Sequence, residues 1–226
     1  MHHPETASPI GMPAASPTPT PTPTPAPTSE NAGGVTGQWF KSRTSRQWWF
    51  DSGARALDFA YTGAMGNNPE WERLHTPADL ATWLEGRFEA CDGTVTDRDL
   101  TDAKGLREAI ASIASTLSVS GEPDPKQIDI INLFAATPDV PPRLAGGNLQ
   151  AGRTRVRTGQ ALATMAREAV FLFGNEQHER IRECAADDCA LVFYDESRSN
   201  NRRWCSMQRC GNRAKVRSHR ARTAAR

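Results

Sequence analysis

From Arg198 to Arg226 the chain has neither aspartate nor glutamate, although the same stretch holds ten basic residues: Arg198, Arg202, Arg203, Arg209, Arg213, Lys215, Arg217, Arg220, Arg222 and Arg226. The formal net charge of +1 hides this asymmetry. The 27 basic residues less these ten leave 17 against 26 acidic ones, a formal balance of −9 before Arg198. An absence of acid over so long a stretch argues against an ordinary solvent helix, which mixes signs. It points to a surface for a polyanion. Long apolar runs are also missing. Nothing approaches the roughly 20 apolar residues that cross a bilayer, and the first residues lack the basic start and apolar run of a secretory signal. A cytoplasmic protein without a membrane partner is expected. Large apolar side chains are almost absent from Pro4 to about Gly37, where Pro, Thr, Ala and Ser dominate. Such a segment cannot bury enough surface to offset the entropy of ordering. Residues 1–38 are therefore expected to form a disordered, partly polyproline-II arm.

What remains is enough for a core. Hydrophobic residues make up 38% of the 226 and charged residues 23%, and that length suits one ordinary domain with a smaller one. Large apolar residues begin at Trp39 and recur through Trp48, Trp49 and Phe50. Ser52 is placed to cap a helix carrying Leu57, Phe59, Ala60 and Tyr61. Thr76-Pro77-Ala78-Asp79 has the cap, first-position proline and first-turn acid of a helix that continues through Leu80, Trp83 and Leu84. Apolar spacing predicts further helices over Asp97–Leu117, Gln127–Ala136 and Thr158–Phe173, the last stopping at Gly174-Asn175. Leu144–Thr158, with alternating Arg153, Arg155 and Arg157, reads as a turn and a strand. The unit over 39–176 is thus mainly helical with at most a small β-hairpin.

Four of the five cysteines fall as two matched pairs, Cys184-x4-Cys189 and Cys205-x4-Cys210, with fifteen residues between them. Two short loops, each presenting two thiolates, suit a tetrahedral Zn²⁺. Disulfides would need an oxidising compartment for which the sequence carries no address. Four thiolates leave no open position for a water, so the zinc is expected to be structural. Cys91 has no partner at ligand spacing and reads as an ordinary thiol. Leu191-Val192-Phe193-Tyr194 reads as a short strand, and the chain runs with helix formers from Ser206 to Ala224. Knuckle, hairpin and helix give a treble-clef-like order over 177–226. On that helix Arg209, Arg213, Arg217 and Arg220 share one side, with Met207, Cys210, Ala214 and Ala221 facing inward. Arginine outnumbers lysine there, and its planar fork suits phosphate and guanine edges.

The run Arg202-Arg203-Trp204-Cys205-Ser206-Met207, then Cys210-Gly211-Asn212-Arg213 and Lys215, resembles the CGNR zinc-finger family. The likeness extends upstream through Cys184, Cys189, Phe193, Asp195, Ser197 and Arg198. The preceding region resembles the ABATE domain, through Ala56-Leu57-Asp58-Phe59, Thr62, Leu74, Thr76-Pro77, Asp79-Leu80 and Trp83-Leu84. Tyr61 stands where that family often has asparagine. The resemblance implies a bacterial, stress-induced transcription regulator with a DNA-binding finger behind a sensory or dimerising domain. Asp58 and Thr62 are the positions it offers for contact with an unknown small-molecule or protein ligand.

The expected nucleic-acid contacts are Arg202, Arg203, Arg209, Arg213, Lys215, Arg217 and Arg220. DNA is the expected partner, a homodimer is an expected form, and RNA is the alternative, since an arginine face does not itself distinguish the two. Trp204 and Tyr194 offer rings for base stacking or for the core. A protein-interaction module with a structural zinc is a further alternative. For an enzyme only Asp58, His75, Arg167 and Glu168 are worth naming, and none has a nucleophile or metal partner at motif spacing. No catalytic residue is assigned.

Overall fold

The computed structural model describes residues 36–41, 47–63, 65, 69–88, 91, 94–142 and 155–224. The arm up to residue 35, and residues 143–154 of the expected turn and strand, lie outside the described residues. Strand β1 (Gln38–Lys41) pairs antiparallel with β2 (Gln47–Phe50). Side chains alternate across a strand, so Gln38, Phe40, Trp48 and Phe50 turn inward while Trp39, Lys41 and Gln47 are exposed. The hairpin of the helical region therefore lies at its start, in the tryptophan-rich run. At the position expected for a strand, Val156 makes a single parallel bridge to the buried Cys91.

Helix α1 (Arg55–Ala60) is buried from Ala56 to Ala60 and packs on two longer helices, α3 (Asp97–Ser118) and α5 (Thr158–Phe173). Six residues are too few for a helix to persist alone, so this burial holds it. Ser52 does not cap it. The cap position is Ala54, without a side-chain bond, and the Ser52 hydroxyl donates instead to Asp58 Oδ1 at 2.7 Å. A buried carboxylate is a stronger acceptor than the helix end can compete with, since charge-assisted bonds are the stronger ones.

The longer helices start where local chemistry says they should. In α2 (Pro77–Glu85) Thr76 Oγ1 accepts from the Asp79 N–H, and the Asp79 carboxylate accepts from the Thr76 N–H. Thr96 and Asp99 repeat this capping box at α3, satisfying donors that a helix start leaves orphaned. Asp124 caps α4 (Pro125–Ala135), which packs on both α3 and α5. Arg107 of α3 is buried and forks onto Glu72 at 2.7 and 2.8 Å, fastening the helix to the segment before α2.

After a 3₁₀ turn over Asn175–Arg180 come β3 (Ile181–Glu183) and β4 (Val192–Tyr194), an antiparallel pair with Arg182 opposite Phe193. A π-wound turn, Met207–Gly211, then leads into α6 (Asn212–Ala224). One apolar core runs through both regions, from Phe40, Leu57, Leu106 and Leu162 to Phe193, Cys205 and Cys210. The seam between them is polar and specific. The Tyr61 hydroxyl, fully buried, donates to the Val192 carbonyl at 2.9 Å and accepts from the Val192 N–H at 2.7 Å. The Tyr194 N–H donates to the Ser52 carbonyl at 2.8 Å. Gly53, at φ +81°, lets the chains approach, because a β-carbon there would strike the Tyr194 carbonyl oxygen. No helix among the described residues is long and apolar enough to cross a membrane.

Candidate metal centre and basic helix

Backbone bonds bring the four cysteines together. The Cys184 N–H donates to the Leu191 carbonyl at 2.8 Å, and the Cys189 N–H to the Ala186 carbonyl at 2.9 Å. The first knuckle is therefore the turn of the β3–β4 hairpin rather than a loop ahead of it. The Ala185 N–H donates to the Arg203 carbonyl at 2.8 Å, which carries the second pair alongside, and the Cys210 N–H closes onto the Ser206 carbonyl at 3.0 Å. The four sulfurs lie within 4.8 Å of one another. Cys189 and Cys205 Sγ are 3.7 Å apart, and Cys205 and Cys210 Sγ 3.5 Å.

A tetrahedral zinc with bonds of about 2.3 Å requires sulfurs roughly 3.8 Å apart, so the donor set and its spacing fit that ion. Hydrogen bonds from Cys189 and Cys205, with the Cys205 N–H, hold the Cys184 thiol far below its ordinary range, so the cluster presents a thiolate without help from a metal. Cys184, Cys205 and Cys210 are buried and Cys189 half-buried. This cluster is a metal site, closed by protein on most sides.

The basic residues around it divide sharply. Arg202 is committed inward. Its guanidinium donates to the carbonyls of Trp204, Cys205 and Asp51 at 3.1, 2.7 and 2.8 Å, and lies 4.2 Å from the Phe193 ring centre. Arg213 Nη2 donates to Cys210 Sγ at 3.2 Å while its Nη1 reaches Asp188 at 2.6 Å. Arg217 approaches Asp187 at 3.7 Å. Arg209 covers the Trp48 ring at 4.6 Å, and the exposed Arg203 lies over Trp204 at 5.2 Å. Lys215, Arg220 and Arg222 are exposed and have no acidic partner among the described residues. The expected inward face holds only in part. Cys210 is buried, but Met207 is 49% exposed, Ala221 is exposed, and α6 buries no residue at all. The π-wound start shifts the register, and beyond it the helix leaves the body.

Asp58 and Thr62 sit within the core. Burial pushes the Asp58 carboxyl up to about 7, against the opposing bonds from Ser52 and the Gly37 N–H. Thr62 Oγ1 donates to the Phe59 carbonyl at 2.7 Å. Neither lines the open cavity of about 640 Å³ at the seam, which lies between the end of α3 (Leu117, Ser118, Ser120) and the finger (Arg182, Arg202, Arg203). His75 Nε2 meets the Glu72 carbonyl, Arg167 holds the carbonyls of Ala135 and Thr137, and Glu168 accepts from the Ala56 N–H. These three lie on separate contacts. Tyr194 donates to Gln177, and Trp204 is half-buried beneath Arg203.

Sequence reasoning missed the acids Asp187 and Asp188 as partners of the helix arginines. It also missed Asp195, whose buried carboxylate accepts from the Ser197 and Arg202 N–H groups at 2.9 and 2.7 Å and folds the loop between strand and second cysteine pair. An aspartate two residues before a serine is a turn signal that could have revealed the latter.

Residues 53–176 match the model of the ABATE domain, described as "Putative stress-induced transcription regulator". That is more than half of the chain. The chain belongs to the ABATE family. Residues 180–223 match the CGNR zinc finger, so the ABATE region leads directly into the CGNR finger and the four sulfurs fall inside the second match. No curated protein matches this chain.

Proposed function

We propose that this ABATE–CGNR protein is a bacterial DNA-binding transcription regulator whose zinc-braced finger grips duplex DNA. The observation that carries the reading is α6: thirteen residues with no acid and none buried, leaving the body next to a closed metal site. A helix with nothing to pack on and one sign of charge is stabilised by a polyanion. Cys184, Cys189, Cys205 and Cys210 would hold Zn²⁺. With four thiolates the ion's chemistry is structural, holding the two knuckles together. No catalytic activity is part of this reading.

The arginines are not equal in it. Arg203, Lys215, Arg220 and Arg222 are the phosphate contacts, with Arg209 at the base of the helix. Arg213 and Arg217 reach DNA only by leaving Asp188 and Asp187. Arg202 serves the finger's own fold. The ABATE region would sense a small molecule or mediate homodimerisation, the seam cavity being the place where a ligand touches both regions. The test is binding of the zinc-loaded chain to a labelled duplex across a salt series, with structured RNA as competitor. About four phosphate contacts give a log–log slope near −4, at about −0.9 per contact. A flat salt response, or RNA displacing the duplex at equal concentration, overturns the DNA reading.

A further inference from the structure

The β1–β2 hairpin has one face too many for its structural task. Its inner face, Phe40, Trp48 and Phe50, covers the core. Its outer face carries Trp39 and Trp49, directly opposite in register, with Lys41 and Gln47 as the next pair. The two indoles meet edge to face, centroids 5.4 Å apart at 74°. Trp49 is fixed: it lies against Gly37, where a β-carbon would be 2.7 Å from its ring atoms. Trp39 stands beside it with 41% of its surface in solvent. Its carbonyl is held by the Arg73 guanidinium, which also covers Phe40 at 4.8 Å.

A cross-strand tryptophan pair would stabilise a hairpin by itself. Two further observations ask for more. From Gln38 to Phe50 the sequence has three basic residues, Lys41, Arg43 and Arg46, and no acid. The hairpin is also continuous with the proposed DNA surface, because Arg209, at the root of α6, lies on Trp48 of β2. An exposed, rigid indole beside cations, adjoining a polyanion surface, matches the stacking platforms that take unpaired bases.

We propose that the outer face of the hairpin, with Trp39 as the platform and Lys41 as a backbone contact, binds an unpaired base of DNA next to the duplex gripped by the finger. The proposal rests on the duplex-DNA reading. Stacking is sequence-tolerant because every base has a π-face. The site is therefore selective for unpaired bases over paired ones rather than for a sequence.

The test compares the full, zinc-loaded chain on a blunt duplex, on the same duplex with an oligothymidine tail, and on the same duplex with an oligouridine tail. The thymidine tail is expected to tighten binding roughly tenfold and to quench tryptophan fluorescence. Both effects are lost in Trp39→Ala, whose binding to the blunt duplex is unchanged. Should Trp39→Ala open the hairpin, Lys41→Gln, which keeps the indole pair, is expected to lower the salt slope on the tailed duplex alone. Equal affinity for blunt and tailed duplex, or a tail effect that survives both substitutions, overturns the platform while leaving the finger's duplex grip standing. A stronger effect of the uridine tail overturns the choice of DNA. Binding of neither duplex at low salt removes the reading beneath it.

Discussion

Up to Phe173 the chain is ordered by apolar side chains and by caps it writes for itself, whereas after Arg180 it is ordered around sulfur. The first region fully buries Leu57, Phe59, Leu106, Ile110 and Leu162, and Thr76 and Thr96 close their own helices. The second has only Ile181, Leu191, Val192 and Phe193 as large buried apolar residues, and its interior is completed by cysteine. Two arginines show the same contrast. Arg107 is buried against the carboxylate of Glu72, while Arg213, 43% exposed in its side chain, answers to a cysteine sulfur and a surface aspartate. The difference teaches which region can stand by itself. The helical one has a core of its own, and the finger depends on an ion and on its neighbour.

Removing the metal should break the comparison most severely. A structural zinc contributes on the order of 10 kcal/mol, so chelation is expected to unfold the chain from about Cys184 onward while the helices through Phe173 keep their far-UV signal and melt somewhat lower. Limited proteolysis reads this directly, and a finger that stays protected in chelator would contradict it. The next effect belongs to the helical region alone. The folded state raises Asp58 from 3.8 to about 7, so it binds the proton more tightly than the unfolded chain. The stabilisation is complete below about pH 4 and is lost as pH rises through 7, on the order of 4 kcal/mol in all. Denaturant titrations across that window should show a downward slope with pH that Asp58→Asn removes. An unchanged profile in the variant would assign the slope elsewhere.

The seam offers a smaller change that sharpens the contrast. Tyr61→Phe leaves the Val192 N–H and carbonyl without partners in a buried site, at a cost of about 2 kcal/mol. Hydrogen exchange should rise first at Val192 and the knuckle and only slightly in α3 and α5; uniform loosening would mean the regions are one unit. Smallest is the separation of two basic neighbours on α6. Arg213→Ala is expected to weaken metal affinity roughly tenfold, as loss of a group supporting a ligand does. Lys215→Ala leaves metal affinity alone and lowers the salt slope of DNA binding by about 1. If the two variants behave alike in a competitive chelator titration, Arg213 has no special tie to Cys210.

What was readable from sequence was what is decided locally. Thr76 with Asp79, Asp97–Ser118 and the two cysteine pairs carry their own spacing, and each emerged near its expected bounds. Ser52 did not, because its hydroxyl is claimed by a buried acid, a tertiary matter. The hairpin was hidden by its own aromatics: Trp48-Trp49-Phe50 is a continuous apolar run, so the period of two does not show. Tyr61 could not be read at all. Its partner lies 131 residues away, and only the fold makes them neighbours. Charge counting had the opposite fault, treating Arg202 and Arg203 alike when one is tied to backbone carbonyls inside the finger and the other is exposed.

The clasp of Tyr61 on Val192 ties the fortunes of the metal to those of helix α1. Coupling of this kind is reciprocal: whatever the bound ion adds to the stability of α1 through the seam, an intact α1 returns as tighter retention of the ion. Warming that frays α1 therefore loosens the ion's hold before the sulfurs themselves have changed. The amount of metal-loaded regulator in a cell would then fall more steeply with temperature than the thiolates alone dictate, which makes this one phenolic oxygen a thermostat setting as well as a fastening.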